Sequence, residues 1–231
     1  MKALPFPCIR ANAEKAIESV SSADSLLASR SSVRVALDNE TLLKDGGSAY
    51  YLYESTVKGH APVTGILAIC PLDALSFFDV DMTPDAFEAV QDVSQCIVAS
   101  GLQAIPAPLA YPDQPVMDII LGAVKQGAAL FDLFDPAGTR HRIWTVKRED
   151  TVEAIKTMLQ QVSHAEPADL SPLLAMQNAR ETFCMQAEAA GTYTGREPFN
   201  FAYVALYQKS QLADGIPYLP AGFVMHQVQK L

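Results

Sequence analysis

No stretch of this chain approaches the ~20 consecutive apolar residues that a membrane-spanning helix needs. The opening Met1-Lys2-Ala3-Leu4-Pro5-Phe6-Pro7 lacks the apolar segment of a secretory leader. Cysteine is scarce. Cys8, Cys70, Cys96 and Cys184 stand far apart and show no CxxC spacing. That pattern argues against a zinc site or dithiol chemistry and predicts reduced thiols in a cytoplasmic protein, with no metal bound. Positive charge is also short: 17 Lys and Arg face 26 Asp and Glu, a net charge of -9, and Lys147-Arg148 is the most concentrated basic pair. Nucleic acid and anionic membrane surfaces are therefore disfavoured partners, because neutralisation of phosphate supplies most of their affinity.

What is present is a core. Hydrophobic residues make up 49% of the 231 and charged residues 19%, enough for a well-buried interior in a single compact domain spanning 1–231. Residues 11–30 carry apolar side chains at helical spacing, and Ser31 to Leu37 alternates as a short strand would. Tyr50 to Val57 and Val63 to Cys70 are β-rich runs around Lys58-Gly59-His60-Ala61, which predicts a hairpin. Thr83-Pro84 is a cap followed by proline, so a helix is expected from there to Gly101, with Phe87, Val90, Val93, Ile97 and Val98 on its apolar side.

Further helices are expected over Val116 to Gln126, Glu149 to Val162 and Pro172 to Ala190. Strands are expected over Ala104 to Tyr111, Ala128 to Phe134, His141 to Val146, Phe199 to Tyr207 and Ile216 to Val224. Asp135-Pro136-Ala137-Gly138 and the Asp214-Gly215 region supply turns. Strands gather early and late with helices between them, which predicts an α+β fold: a mixed, mostly antiparallel sheet with packed helices.

The segment Ala168 to Arg180 carries the most functional information. A loop runs into a helix, Ser171 is placed to cap the first turn, and Pro172 suits the first helical position. Such a start is a natural anion site, yet it has no basic or imidazole side chain, and Pro172 removes a donor.

Several stretches together resemble one family. Pro5-Phe6-Pro7-Cys8-Ile9-Arg10 is similar to the Pro-Phe-x-x-x-Arg opening of the bacterial domain of unknown function 1015. The hairpin from Ala49-Tyr50-Tyr51-Leu52-Tyr53 to Thr64-Gly65-Ile66-Leu67-Ala68 resembles its Tyr-rich strand and Thr-Gly-φ-φ-Ala segment, φ being apolar. Arg140 to Val146 resembles its His-x-x-Trp-x-Val strand, and Thr194-Gly195-Arg196-Glu197-Pro198-Phe199-Asn200-Phe201 its Thr-Gly-x-x-x-x-Asn-Tyr segment.

Members of that family are longer, and it is similar to the ParB-like and free-serine-kinase superfamily. The resemblance therefore implies a ParB/serine-kinase-like fold in which a loop-helix bearing Asp-Gly-His-His-Arg binds nucleotide phosphates. By position Asp169 matches the Asp, while Leu170, Ser171, Pro172 and Leu173 stand where Gly, His, His and Arg are expected. A second family segment, Lys-Lys-His-Glu-x-Thr, falls on Phe77 to Pro84, where Asp81 holds the place of the Glu and the basic residues are gone. The Pro-Pro-Tyr-Asp-Val segment is missing.

Asp79 and Asp81 alternate on an extended stretch, a spacing compatible with Mg²⁺. As acids ahead of a helix start they also suit its dipole, and the sequence favours that second reading. Asp169 is expected to accept backbone hydrogen bonds in the loop. His141, flanked by Arg140 and Arg142, is a candidate for a small anion site, weighed against cross-strand pairing with Asp132 and Asp135. His60 sits in a turn, His164 ends a helix, and His226 has no evident partner. Tyr50, Tyr51 and Tyr53 read as core strand residues.

Two functional expectations result. The first is a non-enzyme: a pseudoenzyme with a binding or regulatory role, acting through a homodimer or a protein partner and needing no cofactor. The second is a nucleotide-dependent kinase of a small hydroxyl substrate such as L-serine, with ATP or ADP and Mg, Asp81 as base and Asp169 near the metal. It lacks the cations on which phosphoryl transfer depends.

Overall fold

The computed structural model describes residues 1–75, 82–213, 215–217 and 219–231, apart from the side chains of Ile17, Glu18 and Val20. Its elements are β1 (Cys8–Ala11), α1 (Ala16–Ser21), α2 (Ala23–Leu26), α3 (Arg30–Asp38), β2 (Leu42–Lys44), β3 (Tyr50–Thr56), β4 (Val63–Pro71), α4 (Pro84–Ser100), β5 (Leu102–Gln103), β6 (Ala107–Tyr111), α5 (Pro115–Val124), β7 (Phe131–Phe134), β8 (Arg140–Val146), α6 (Glu149–Gln160), β9 (Glu166–Pro167), α7 (Ser171–Ala189), β10 (Phe201–Gln208) and β11 (Val224–Gln227).

The strands form a seven-stranded sheet in the order β7-β8-β3-β4-β10-β6-β9 and a four-stranded sheet in the order β2-β1-β11-β5. Among the described residues only β10 and β6 pair in parallel, so the class is α+β with mixed, mostly antiparallel pairing.

The large sheet is covered on both faces. Tyr50, Leu52, Ile66, Ala68, Trp144, Val204 and Leu206 face helices α4 to α7. The alternate residues Tyr51, Tyr53, Leu67, Tyr203, Ala205 and Tyr207 face the small sheet. A third cluster lies between the outer face of the small sheet and α3, around Ile9, Val33, Leu42 and Met225.

The N-terminal segment joins the two sheets. Leu4 exchanges backbone hydrogen bonds with Ile69 and Phe6 with Ala49. The Phe6 ring then sits 5.6 Å from Tyr51, 5.4 Å from Tyr203 and 5.8 Å from His226. Gln103 spans the same gap from the other side: its side-chain amide accepts from Tyr203 N (2.7 Å) and donates to Tyr203 O (3.3 Å).

Some expectations hold closely. The hairpin is β3–β4. Helix α4 is capped by Thr83, whose Oγ1 accepts from Ala86 N, and it ends on Gly101 at φ +74. Phe87 is a correction, lying 52% exposed on that helix. Ser31 to Leu37 is also corrected: it lies within α3, not in a strand. Ser29 caps the helix by accepting from Ser32 N (3.1 Å), and Val33 and Ala36, three apart, are the residues that become buried.

Residues 11–30 do not form one helix. Ala11 pairs with Leu42 in the small sheet, and Ser21 and Ser22, poor helix formers, lie at the break between α1 and α2. The final strand is Val224–Gln227. Residues 215–217 and 219–223 take no strand structure, since Pro217 and Pro220 cannot donate to a ladder and Gly222 sits at φ +94. The expected turn residue Asp214 lies outside the described residues.

Two tests follow from this packing. A Cβ on Gly65 would lie 2.7 Å from Tyr207 Cζ, in a ring that is itself fully buried. Gly65→Ala should therefore lower the urea-unfolding free energy by about 2–3 kcal/mol, the cost of overpacking; an unchanged midpoint would refute the contact. Second, burial pushes the His226 pKa down from 6.5 to about 4, partly offset by its hydrogen bond to Pro198 O. Folded His226 stays neutral while the unfolded chain takes up a proton at the ordinary pKa. Its contribution is thus complete above pH 6.5 and drains away toward pH 4, by about 3 kcal/mol in all. His226→Gln should flatten the fall in unfolding free energy between pH 6.5 and 5; the wild-type slope in the variant would disprove it.

Candidate functional site

At the start of α7 the expected cap is corrected. Ser171 is the first helical residue, and it is Asp169 whose Oδ1 accepts from Ser171 N (2.9 Å). Leu170 precedes the helix with φ -82 and ψ -21, and its carbonyl accepts from Leu173 N and Leu174 N, both at 3.0 Å. Pro172 has no N–H. The four leading positions of the helix therefore offer no free backbone donor. Ser171 is exposed, whereas Pro172 is buried and Leu173 is 1% exposed within the helix-side core.

Beside this start lies a cavity of about 150 Å³. Cys70, Leu75, Leu109 and Leu173 give it an apolar lining. Besides Cys70, the ionisable groups of its lining, among the described residues, are Lys2, His164 and the Met1 α-ammonium, which donates to Leu159 O (3.1 Å) and Val162 O. Burial pushes the Cys70 thiol up to about 12, so it is no nucleophile at neutral pH. Asp79 and Asp81 lie outside the described residues, as does the rest of Phe77 to Val80. Thr83 and Pro84, at the end of that segment, serve to start α4.

The second candidate pair, Arg140 and His141, is divided by the alternation of β8. Arg140 forms a two-pronged bond with Asp132 (Nε to Oδ1 and Nη2 to Oδ2, both 2.7 Å) and lies 5.9 Å from the centre of the Phe134 ring. His141 points to the opposite face and is buried. Its Nδ1 meets Tyr53 Oη at 2.9 Å and its Nε2 meets Asp135 Oδ2 at 3.2 Å. An ionised carboxylate only accepts, so in the neutral ring Nε2 carries the proton and Nδ1 accepts from Tyr53.

Asp135 also accepts from Thr139 N (2.8 Å) in the β7–β8 turn. Desolvation opposes its ionisation, but the Thr139 and His141 bonds outweigh this and hold its pKa below the usual carboxylate range. His141 thus pairs with Asp135 and Arg140 with Asp132, and the pairs sit on different faces.

Three further polar networks tie distant parts of the chain together. Glu54 is buried on the helix side of β3, where its carboxylate takes Lys125 Nζ (3.0 Å), Arg142 and the Thr64 hydroxyl (3.4 Å). The signal was present in the sequence as an acid at an inward position of an otherwise apolar and aromatic strand. Asp45 takes Arg10 Nε (2.9 Å) and Tyr51 Oη (2.5 Å), and Tyr51 in turn takes the Cys8 thiol (2.9 Å). Burial opposes ionisation of Asp45, but Tyr51 and Arg10 overcome it and keep its pKa low. Burial pushes Cys8 up to about 12.

Third, Glu197 accepts from the Thr194 hydroxyl (2.7 Å) and from Asn200 Nδ2 (3.2 Å), while Asn200 Oδ1 accepts from Arg180 Nε (2.9 Å). Arg180 also pairs with Asp73 at 2.9 Å. Among the described residues no group of three His, Cys, Asp or Glu side chains converges as metal ligands would, and no helix is long and apolar enough to cross a membrane.

None of the curated proteins and none of the solved structures is significantly similar to the chain. A family model does match. The match covers residues 6–213 of the chain and takes in the Phe6–Arg10 opening, the β3–β4 hairpin, β8 and the Thr194–Phe201 segment, so the chain belongs to the family described as protein of unknown function (DUF1015).

Proposed function

We propose that this chain is a catalytically degenerate relative of the ParB-like and free-serine-kinase superfamily, keeping the scaffold for a binding or regulatory role. The observation that carries the proposal is the donor set at the start of α7. Anion sites at helix N-termini work through free N–H groups reinforced by cationic side chains. Here Asp169 takes the Ser171 N–H, Pro172 has none, and Leu170 O takes those of Leu173 and Leu174. Leu173, where the family's Arg is expected, is packed in the core, and the adjoining cavity of about 150 Å³ is lined mainly by apolar groups.

These residues do not fit a nucleotide phosphate. The remaining Asp169 is a local turn-forming group. The net charge of -9 sets nucleic acid aside, and the partner in this reading is a protein or a second copy of the chain.

Calorimetric titration with ATP–Mg or ADP–Mg should give no binding heat, and a coupled assay with L-serine and either nucleotide no turnover. Tight binding that is lost in Asp169→Ala would overturn the proposal. Leu173→Ala should lower the unfolding free energy by about 3 kcal/mol, as for other buried leucines; a loss within about 0.5 kcal/mol, typical of surface positions, would show that the residue is not serving the core.

A further inference from the structure

The turn ends of the β3–β4 and β7–β8 hairpins enclose a second cleft, of about 320 Å³, separate from the start of α7. Its floor is a built polar chain. His141 is 2% exposed and fully engaged, with Tyr53 on one ring nitrogen and Asp135 on the other. The Asp135 side chain is 26% exposed and opens to the cleft. Its oxygens accept from Thr139 N (Oδ1) and His141 (Oδ2), and the Ala137 N–H adds a third bond, which still leaves acceptor capacity on a carboxylate with about four lone-pair sites. Ser55 and Thr139 add hydroxyls to the lining, His60 stands at the rim, and Val57, Val63 and Ile216 form apolar walls.

Charge decides the class of ligand. Among the described lining residues no Lys or Arg accompanies Asp135. The nearest guanidinium groups in sequence, Arg140 and Arg142, are turned to the other face of β8 and held there by Asp132 and Glu54. An anion would meet the Asp135 carboxylate with no cation to offset it. A divalent metal ion needs several oxygen ligands of which at least some are charged, and the described lining residues supply one carboxylate. A compact cation with a hydrocarbon body meets both features: the charge on Asp135 and the apolar walls.

We propose that this cleft binds a small organic ammonium ion. Asp135 is its counter-ion, the Ser55 and Thr139 hydroxyls accept its remaining N–H groups, and Val57, Val63 and Ile216 cover its carbon chain. His141 acts as a positioning residue: with Tyr53 behind it, it fixes the Asp135 carboxylate. The site does not depend on the reading of the α7 start, and its test uses no nucleotide.

Probes of one shape and opposite charge test it. Full-length protein at pH 8 is titrated with n-butylammonium chloride and, separately, with sodium butyrate, following the backbone amide resonances of Gly138 and Thr139. Butylammonium should give saturable shifts with a dissociation constant of about millimolar order, and butyrate none. Asp135→Asn keeps the Oδ1 acceptor for Thr139 and should weaken butylammonium about tenfold or more. Ile216→Lys, at a position 45% exposed, places a fixed ammonium at the mouth and should abolish binding without affecting folding.

Saturation by butyrate, absence of saturation by butylammonium, or undiminished binding in Asp135→Asn would each overturn the proposal. If Asp135→Asn fails to fold, retention of binding in Ile216→Lys overturns it instead.

Discussion

Strand β3 is buried on both faces, and the polar groups it carries into the interior must all find partners there. Tyr50 donates to Ala3 O (2.9 Å), Tyr51 to Asp45 (2.5 Å) and Tyr53 to His141 (2.9 Å), while Glu54 takes Arg142 and Lys125. A buried hydroxyl without a partner costs about 1–3 kcal/mol, and an unpaired buried carboxylate more. The partners come from four segments: the N-terminal stretch, the β2–β3 loop, strand β8 (which supplies both His141 and Arg142) and the end of α5. The demands of one strand thus fix where four outlying pieces of chain lie. Tyr203 on β10 contrasts with them: its buried hydroxyl has no partner among the described residues.

This explains what the family-like motifs are doing. Phe6 fills the space between the two sheets, and Arg10 completes the charge of Asp45 behind Tyr51. Gly65 leaves room for the Tyr207 ring, and Thr64 joins the Glu54 network. Asn200 and Glu197 tie the loop after α7 to Arg180 on that helix. These residues hold the scaffold together. The start of α7 shows the same economy: its leading N–H groups are absorbed by Asp169, Leu170 and a proline, and its apolar residues point into the core.

Much of the fold was legible in local signals. A β-rich run on either side of Gly59 located the β3–β4 hairpin, and Thr83 with Gly101 bounded α4 almost to the residue. Asp135 and Gly138 marked the β7–β8 turn. Where local signals were mixed, the reading failed. The alternating valines of 31–37 look strand-like, but a Ser29 cap and the burial of Val33 and Ala36 give a helix. Pro217, Pro220 and Gly222 break what hydrophobicity alone suggests is a strand before Val224. Glu54 and Asp45 were passed over because their cations lie 71 and 88 or 35 and 102 residues away.

By itself the sequence determined the class of fold, the approximate bounds of α4 to α7 and of the central strands, the acidic charge and the absence of cationic side chains where α7 begins. These depend on residue type and on spacing within a turn or strand, which act over a few residues. Only the tertiary structure decided that Arg140 and His141 serve opposite faces, that Leu173 is core, that the donors of α7 are all taken, and that Asp135 opens into a cleft with His141 behind it. Side-chain direction, burial and pairing across the sheet are set by residues far apart in the chain, and they exist only once the two sheets have closed on β3.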